Sequence, residues 1–219
     1  LECVRGLRGV ELLDAVIRLI ESPPNDQLQR AACLSLGGLQ NTRAVPPLLE
    51  ILRRRPRFFG LIKGLPEGIR ATAARSLGEL HFPEAKQALE IARIEAGIPR
   101  FGADMDETNL PPEAGLDQRA VSYTKGCYIG QEVIARIRTY GQVAKALRGL
   151  RLADDLNPLP IKGDKLFQGQ KEVGYLTSAV FSPALKSNIA LGYVRREANQ
   201  IGTELILRNA AGESPVKIV

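Results

Sequence analysis

Histidine, cysteine and long apolar runs are scarce in this chain of 219 residues. His81 is its one histidine, and it falls at a turn between two helical patterns. That position suits a solvated or capping role, and a Ser/His/Asp triad is left without a base. The three cysteines, Cys3, Cys33 and Cys127, are far apart. No pair has the short spacing that a zinc site or an iron–sulfur ligand set within one chain needs, so no metal site is expected. An odd cysteine count, no secretory leader and no apolar run of spanning length predict a cytoplasmic protein in a reducing compartment, off the membrane. The chain opens on Leu1 rather than Met, which suits a fragment of a longer protein. Aromatic residues make up only 5%, and the formal charge of +6 is shared evenly between residues 1–90 and 91–219, so neither half is a basic arm. The densest basic run, Arg53-Arg54-Arg55 with Arg57, follows an apolar helical pattern and suits the negative end of that helix. With only Phe58 and Phe59 beside it, direct nucleic-acid binding is not expected.

What is present includes an internal repeat. Ala32, Ser35, Leu36, Gly37, Leu39, Ala44 and Leu48 meet Ala73, Ser76, Leu77, Gly78, Leu80, Ala85 and Leu89 when the sequence is shifted by 41 residues. Small and apolar residues recur at helical spacing, a turn follows, and a second apolar helix begins, which is the organisation of a HEAT-like helical solenoid. An earlier half-unit is visible in Leu12, Leu13, Val16, Ile17, Leu19 and Ile20. Asn25 or Asp26 is placed to cap the helix holding Leu28 and Ala32, and Pro83 lies where a first-turn proline is tolerated. Cys33 is on the apolar face and is expected in the core. Pro56-Arg57-Phe58-Phe59-Gly60-Leu61-Ile62-Lys63-Gly64 interrupts the second unit and resembles an F-F-G insertion of bacterial HEAT-like arrays. Repeats of this kind recruit other proteins through their exposed faces.

The segment most dedicated to chemistry is Lys125-Gly126-Cys127-Tyr128-Ile129-Gly130-Gln131-Glu132. Gly126 and Gly130 permit a sharp turn before the amphipathic run Gln131 to Tyr140, which predicts a helix with Val133, Ile134 and Ile137 on its core side. Cys127 is then close to a helix N-terminus, where backbone N–H groups and the nearby Lys125 favour a thiolate. Gln131 and Glu132 have two readings: first-turn residues matched to the helix dipole, or groups that order Lys125 and Tyr128 around the thiol. From about Lys145 the pattern becomes short strands, at Ala146 to Leu152, Lys165 to Phe167, Val173 to Val180, Ile189 to Val194, Thr203 to Leu207 and Val216 to Val219, predicting a small antiparallel barrel. Asn157-Pro158, Lys162-Gly163-Asp164 and Ala211-Gly212-Glu213 are its expected turns.

The octapeptide resembles the K-G-C-Y-x-G-Q-E signature of the YgfZ family, folate-binding proteins related to the glycine cleavage T-protein. Arg93-Ile94-Glu95-Ala96-Gly97, with the following Gly102-Ala103-Asp104 and Leu110-Pro111-Pro112-Glu113-Ala114, is similar to a segment of the same superfamily. Gly174-Tyr175-Leu176-Thr177-Ser178, Ser182-Pro183 and Ile189 to Val194 resemble its C-terminal barrel. The expected fold is therefore an α+β multidomain one: HEAT-like repeats over 1–90, a partial T-protein-like α/β segment over 91–144, and an aminomethyltransferase-type β-barrel over 145–219. The large N-terminal portion of T-proteins is not found in residues 1–90. What the resemblance implies is tetrahydrofolate as cofactor, Cys127 and Lys125 as the reactive pair, and Glu95, Arg93, Tyr128, Gln131 and Glu132 as binding residues. Glu95, with Asp104 beside it, would accept hydrogen bonds from the pterin, and Arg93 or Arg100 would face the anionic tail. The implied role is support of iron–sulfur cluster assembly or repair, and indirectly transfer-RNA modification, with iron–sulfur enzymes as partners. The alternatives are a protein-binding scaffold carrying a folate-binding remnant and a tetrahydrofolate-dependent aminomethyltransferase.

Overall fold

Apolar residues at intervals of three and four give the N-terminal segments one greasy face each, and in the computed structural model those segments are helices. The structure describes residues 10–54, 67–141, 143–210 and 212–219. Cys3, the tail of the arginine run and the F-F-G insertion lie outside them. Contacts divide the chain into two units, Leu1–Ala92 and Arg93–Val219, so the segment expected as a separate 91–144 region falls in the same unit as the barrel.

The first unit is built from α1 (Val10–Glu21), α2 (Asp26–Gly38), a 3-10 turn at Thr42–Ala44, α3 (Val45–Arg53), α4 (Glu67–Glu79) and most of α5 (Pro83–Glu95). The Asn25 side chain accepts from the Leu28 amide and caps α2, as its position predicted. Helices α2 and α4 begin at Asp26 and Glu67, the spacing of the sequence repeat, and they pack on each other, with α1 against α2 and α3 against α4. Leu36, Leu48, Ile69 and Leu77 are fully buried in the shared core, and so is Cys33, whose thiol burial pushes up to about 11. Gly37 lets α2 and α4 approach closely, since a Cβ there would meet Ser76 Cα and Cβ at 3.0 Å. Gln40, at a left-handed φ of 47°, donates to the Gly37 and Glu79 carbonyls and accepts from the His81 amide, tying the two equivalent turns together.

The second unit carries α6 (Asp117–Ala120), α7 (Gln131–Tyr140) and six strands: β1 (Lys145–Leu152), β2 (Lys165–Gln168), β3 (Lys171–Ser182), β4 (Ser187–Arg195), β5 (Glu204–Asn209) and β6 (Gly212–Ile218). They close into an antiparallel barrel in the order β1-β4-β3-β2-β5-β6. Each strand expected from alternation is present. Leu150, Leu166, Val173, Val194 and Leu207 fill the interior. Leu147, Val180, Ile189 and Leu191 form a second cluster with Ile94. The Lys162-Gly163-Asp164 turn forms, with Gly163 at φ 100° and Asp164 accepting from the Ile161 amide. The turn expected at Ala211 to Glu213 is corrected: Gly212 and Glu213 already pair with Asn209 and Arg208 in the β5–β6 ladder. None of the helices among the described residues is long and apolar enough to cross a membrane.

Candidate functional site

Two polar clusters and one exposed loop hold the residues singled out by sequence. The first cluster centres on Asp104, whose side chain is wholly removed from solvent. Its Oδ1 accepts from Thr177 Oγ1 and Ser178 Oγ, each at 2.6 Å. Its Oδ2 accepts from Arg93 Nη1 at 2.6 Å and from the Arg100 amide at 3.0 Å. Burial alone would raise this carboxyl, but the Ser178 and Thr177 hydroxyls, the Arg100 amide and the Arg93 charge together hold it below the usual carboxylate range. Arg93 also donates to the Ile98 carbonyl and, through Nη2, to Ser178. The guanidinium is thus turned into the protein, 12% exposed. Of the two arginines expected to face an anionic tail, Arg93 already meets the charge of Asp104.

Glu95 closes helix α5, half-buried, and its Oε1 accepts from Ser182 Oγ at 2.6 Å, while the same Ser182 oxygen accepts from the Leu185 amide. The structure therefore anchors the Arg93 to Asp104 segment on β3 through four side-chain pairs, each more than seventy positions apart. Sequence reasoning missed this network. The signal was the adjacent hydroxyls Thr177 and Ser178 between the apolar residues Leu176 and Ala179 of β3.

The signature segment is arranged differently from expectation. Gly130 does take a left-handed φ of 88° and N-caps α7, but Gly126 has no positive φ. Cys127 is exposed, and Tyr128, Ile129 and Gly130 separate it from the first residue of α7. The Lys125 ammonium stands 4.4 Å from the Tyr128 ring centroid, a cation–π contact. Glu132 does not order Lys125 or Tyr128; its carboxylate pairs with Arg136 one turn on, at 2.8 Å and in solvent. Gln131 is half-buried at the start of the helix. Of the α7 apolar face only Ile134 is buried, whereas Val133 is 49% exposed. The amphipathic pattern was legible, but too few neighbours reach this helix to cover it. A cavity of about 350 Å³ lies between α7 and the preceding loops, lined by Leu110, Pro111, Val121, Tyr128, Ile134 and Lys125. The thiol of Cys127 is outside that lining.

Comparison with known proteins agrees with the barrel. Residues 145–219 match the family model described as glycine cleavage T-protein C-terminal barrel domain, and residues 28–54 match that of the PBS lyase HEAT-like repeat. An aminomethyltransferase of Aquifex aeolicus is 34% identical over 140 residues, which is 62% of this chain and 38% of that protein. One from Symbiobacterium thermophilum is 37% identical over 127 residues, 57% of this chain and 33% of the relative. The chain thus spans between a third and two fifths of the length of these curated relatives. The crystal structure of the glycine cleavage system aminomethyltransferase T from Bartonella henselae shares the fold, with a TM-score of 0.54 and 23% identity over 70% of this chain and 43% of that one. Together the barrel match and the aminomethyltransferase relatives support a place in the T-protein superfamily for the part of the chain they cover.

Proposed function

We propose that the chain is a folate-binding accessory protein of the YgfZ type, with tetrahydrofolate as its cofactor and Cys127 as its working thiol. The observation that carries this reading is the exposure of Cys127 within the Lys125 to Glu132 signature, in contrast to the buried Cys33. A thiol in solvent is accessible to a partner protein, as a nucleophile, a redox centre or a transient ligand. Tetrahydrofolate supplies a one-carbon acceptor when bound. Glu95 is the carboxylate that the resemblance assigns to the ligand, and Ser182 holds it in place through one of its oxygens. Asp104 and Arg93 do not fit the ligand, since each is engaged within the protein. They act as positioning residues that set the end of α5, where Glu95 lies, and the segment after it. Lys125 and Tyr128, on the wall of the apolar cavity, suit a flat ring with an anionic tail. By the resemblance, the biological role is support of iron–sulfur cluster assembly or repair, and through those enzymes transfer-RNA modification, with residues 1–90 recruiting the partner as a HEAT-like solenoid.

Calorimetric titration with tetrahydrofolate tests the ligand. Saturable binding, weakened about tenfold in Glu95→Gln, is expected, a factor worth about 1.4 kcal/mol. Heats that do not saturate would sink the folate reading. The names of the relatives favour a second reading, tetrahydrofolate-dependent aminomethyl transfer. Cys127→Ser separates the two, because an aminomethyltransferase keeps its activity in that variant and the accessory function loses it. The repeat match favours a third, a scaffold, which a pull-down with residues 1–90 removed tests through the loss of bound protein.

A further inference from the structure

An open cavity of about 840 Å³ in the second unit is used by none of the residues discussed for folate or for the thiol. Its wall includes Lys145 from β1, Arg195 at the end of β4, Arg196 just after it, and Glu113, Glu197 and Gln200. Strand pairing sets Lys145 directly opposite Arg195. Like charges facing each other across an antiparallel pair destabilise it unless something neutralises them. The same conflict arises between Arg151 and Lys217 on β1 and β6, and there Asp154 stands 3.8 Å from Arg151. Relief at Lys145 and Arg195 is partial: Glu113 stands 4.0 Å from Lys145, and Glu197 is felt by Arg195 only at longer range, so neither the Arg195 nor the Arg196 side chain forms a hydrogen bond or close ion pair among the described residues.

Both carboxylates of the cavity already have cationic partners. Glu197 is held by Lys171 at 2.7 Å. Glu113 accepts from the Leu110 amide at 3.3 Å and stands 4.0 Å from Lys145. Lys145 is fixed in direction by the Tyr175 hydroxyl at 3.4 Å and by the Tyr193 ring, whose centroid is 4.9 Å away. A held lysine and two arginines without a close side-chain partner among the described residues thus converge on one concave surface.

We propose that this cavity binds a small multivalent oxyanion, with Arg195 and Arg196 as forked donors and Lys145 as a fixed point charge. The chemistry recognised is a cluster of carboxylate or phosphate oxygens, to which guanidinium groups bond two at a time. The assignment stands independently of the folate reading, since it names other residues and its test uses no folate.

Calorimetry of the full chain with pyrophosphate, and separately with a tri-glutamate peptide, at matched ionic strength tests it. Saturable binding of at least one probe is expected, weakened about tenfold or more in a variant carrying Arg195→Gln and Arg196→Gln. Arg151→Gln with Lys217→Gln removes the same charge from the barrel surface and should change affinity by less than about twofold. Preference for pyrophosphate assigns a phosphate ligand, and preference for the peptide a carboxylate chain. Without ligand, the Arg195/Arg196 variant should melt at or above the wild-type temperature, because it removes repulsion. Absence of saturation by both probes, or equal weakening in the two double variants, overturns the site.

Discussion

A buried carboxylate with every acceptor position filled, as Asp104 is, sets the local shape of the chain more than it offers chemistry. Removing its charge with Asp104→Asn leaves the Arg93 guanidinium without its counter-charge in a dry setting. A loss of about 3 kcal/mol in urea unfolding at pH 7 is expected. The pH dependence has a definite sign. Because the folded carboxyl is held below its unfolded value of about 3.9, its contribution is complete above that pH and is lost as pH falls through the lower folded value. The wild-type urea midpoint should therefore drop on acidification below about pH 4, and that of Asp104→Asn should drop less. The cysteines give an independent check. In the native chain at pH 8, iodoacetamide should modify Cys127 and spare Cys33 until denaturant is added, because Cys33 is buried and its thiol is pushed up to about 11. Peptide mass spectrometry reads this directly, and early labelling of Cys33 would contradict the helical core described above. Cys127 was legible as a candidate from its glycines and lysine alone. Its distance from the helix was not, because Gly130 rather than Gly126 makes the turn.

At the scale of elements, the barrel depends on two strands approaching more closely than a side chain allows. A Cβ at Gly174 would stand 2.2 Å from the Tyr193 carbonyl oxygen, and one at Gly192 would stand 2.8 Å from that of Tyr175. Both obstacles are backbone, so neither can rotate away. Gly174→Ala should cost about 3 kcal/mol by forcing β3 from β4, whereas Gly126→Ala, with open space around it and an ordinary φ, should be nearly silent. Thermal melts of the two variants compare them, and equal losses would count against the closed β3–β4 approach. On the helical side, Ser76 is fully buried and its hydroxyl has no hydrogen-bond partner among the described residues. Ser76→Ala should consequently leave stability unchanged or raise it by about 1 kcal/mol. Alternating apolar residues made the strands readable one by one, and α2 and α4 were readable from their spacing. The Arg93–Asp104–Ser178 network was not, since its partners come from distant segments and a lone Ser or Thr in a strand has no periodicity to betray it.

The whole molecule has two units, each with a core of its own. Calorimetric heating should accordingly resolve two transitions, and Gly174→Ala should lower only the one belonging to the barrel. A single transition shifted as a whole would mean that the cores unfold together. By itself the sequence determined the class of each unit, because helical period, strand period and the 41-residue repeat are local properties that burial of one face enforces wherever the segment packs. It also determined the likeness of residues 145–219 to the T-protein barrel. Only the tertiary structure decided which charged residues are spent internally and which remain open to a ligand. Arg93 and Asp104 look as available in sequence as Lys145 and Arg195 do. Strand register and burial tell them apart, turning the first pair inward and setting the second side by side on a concave surface.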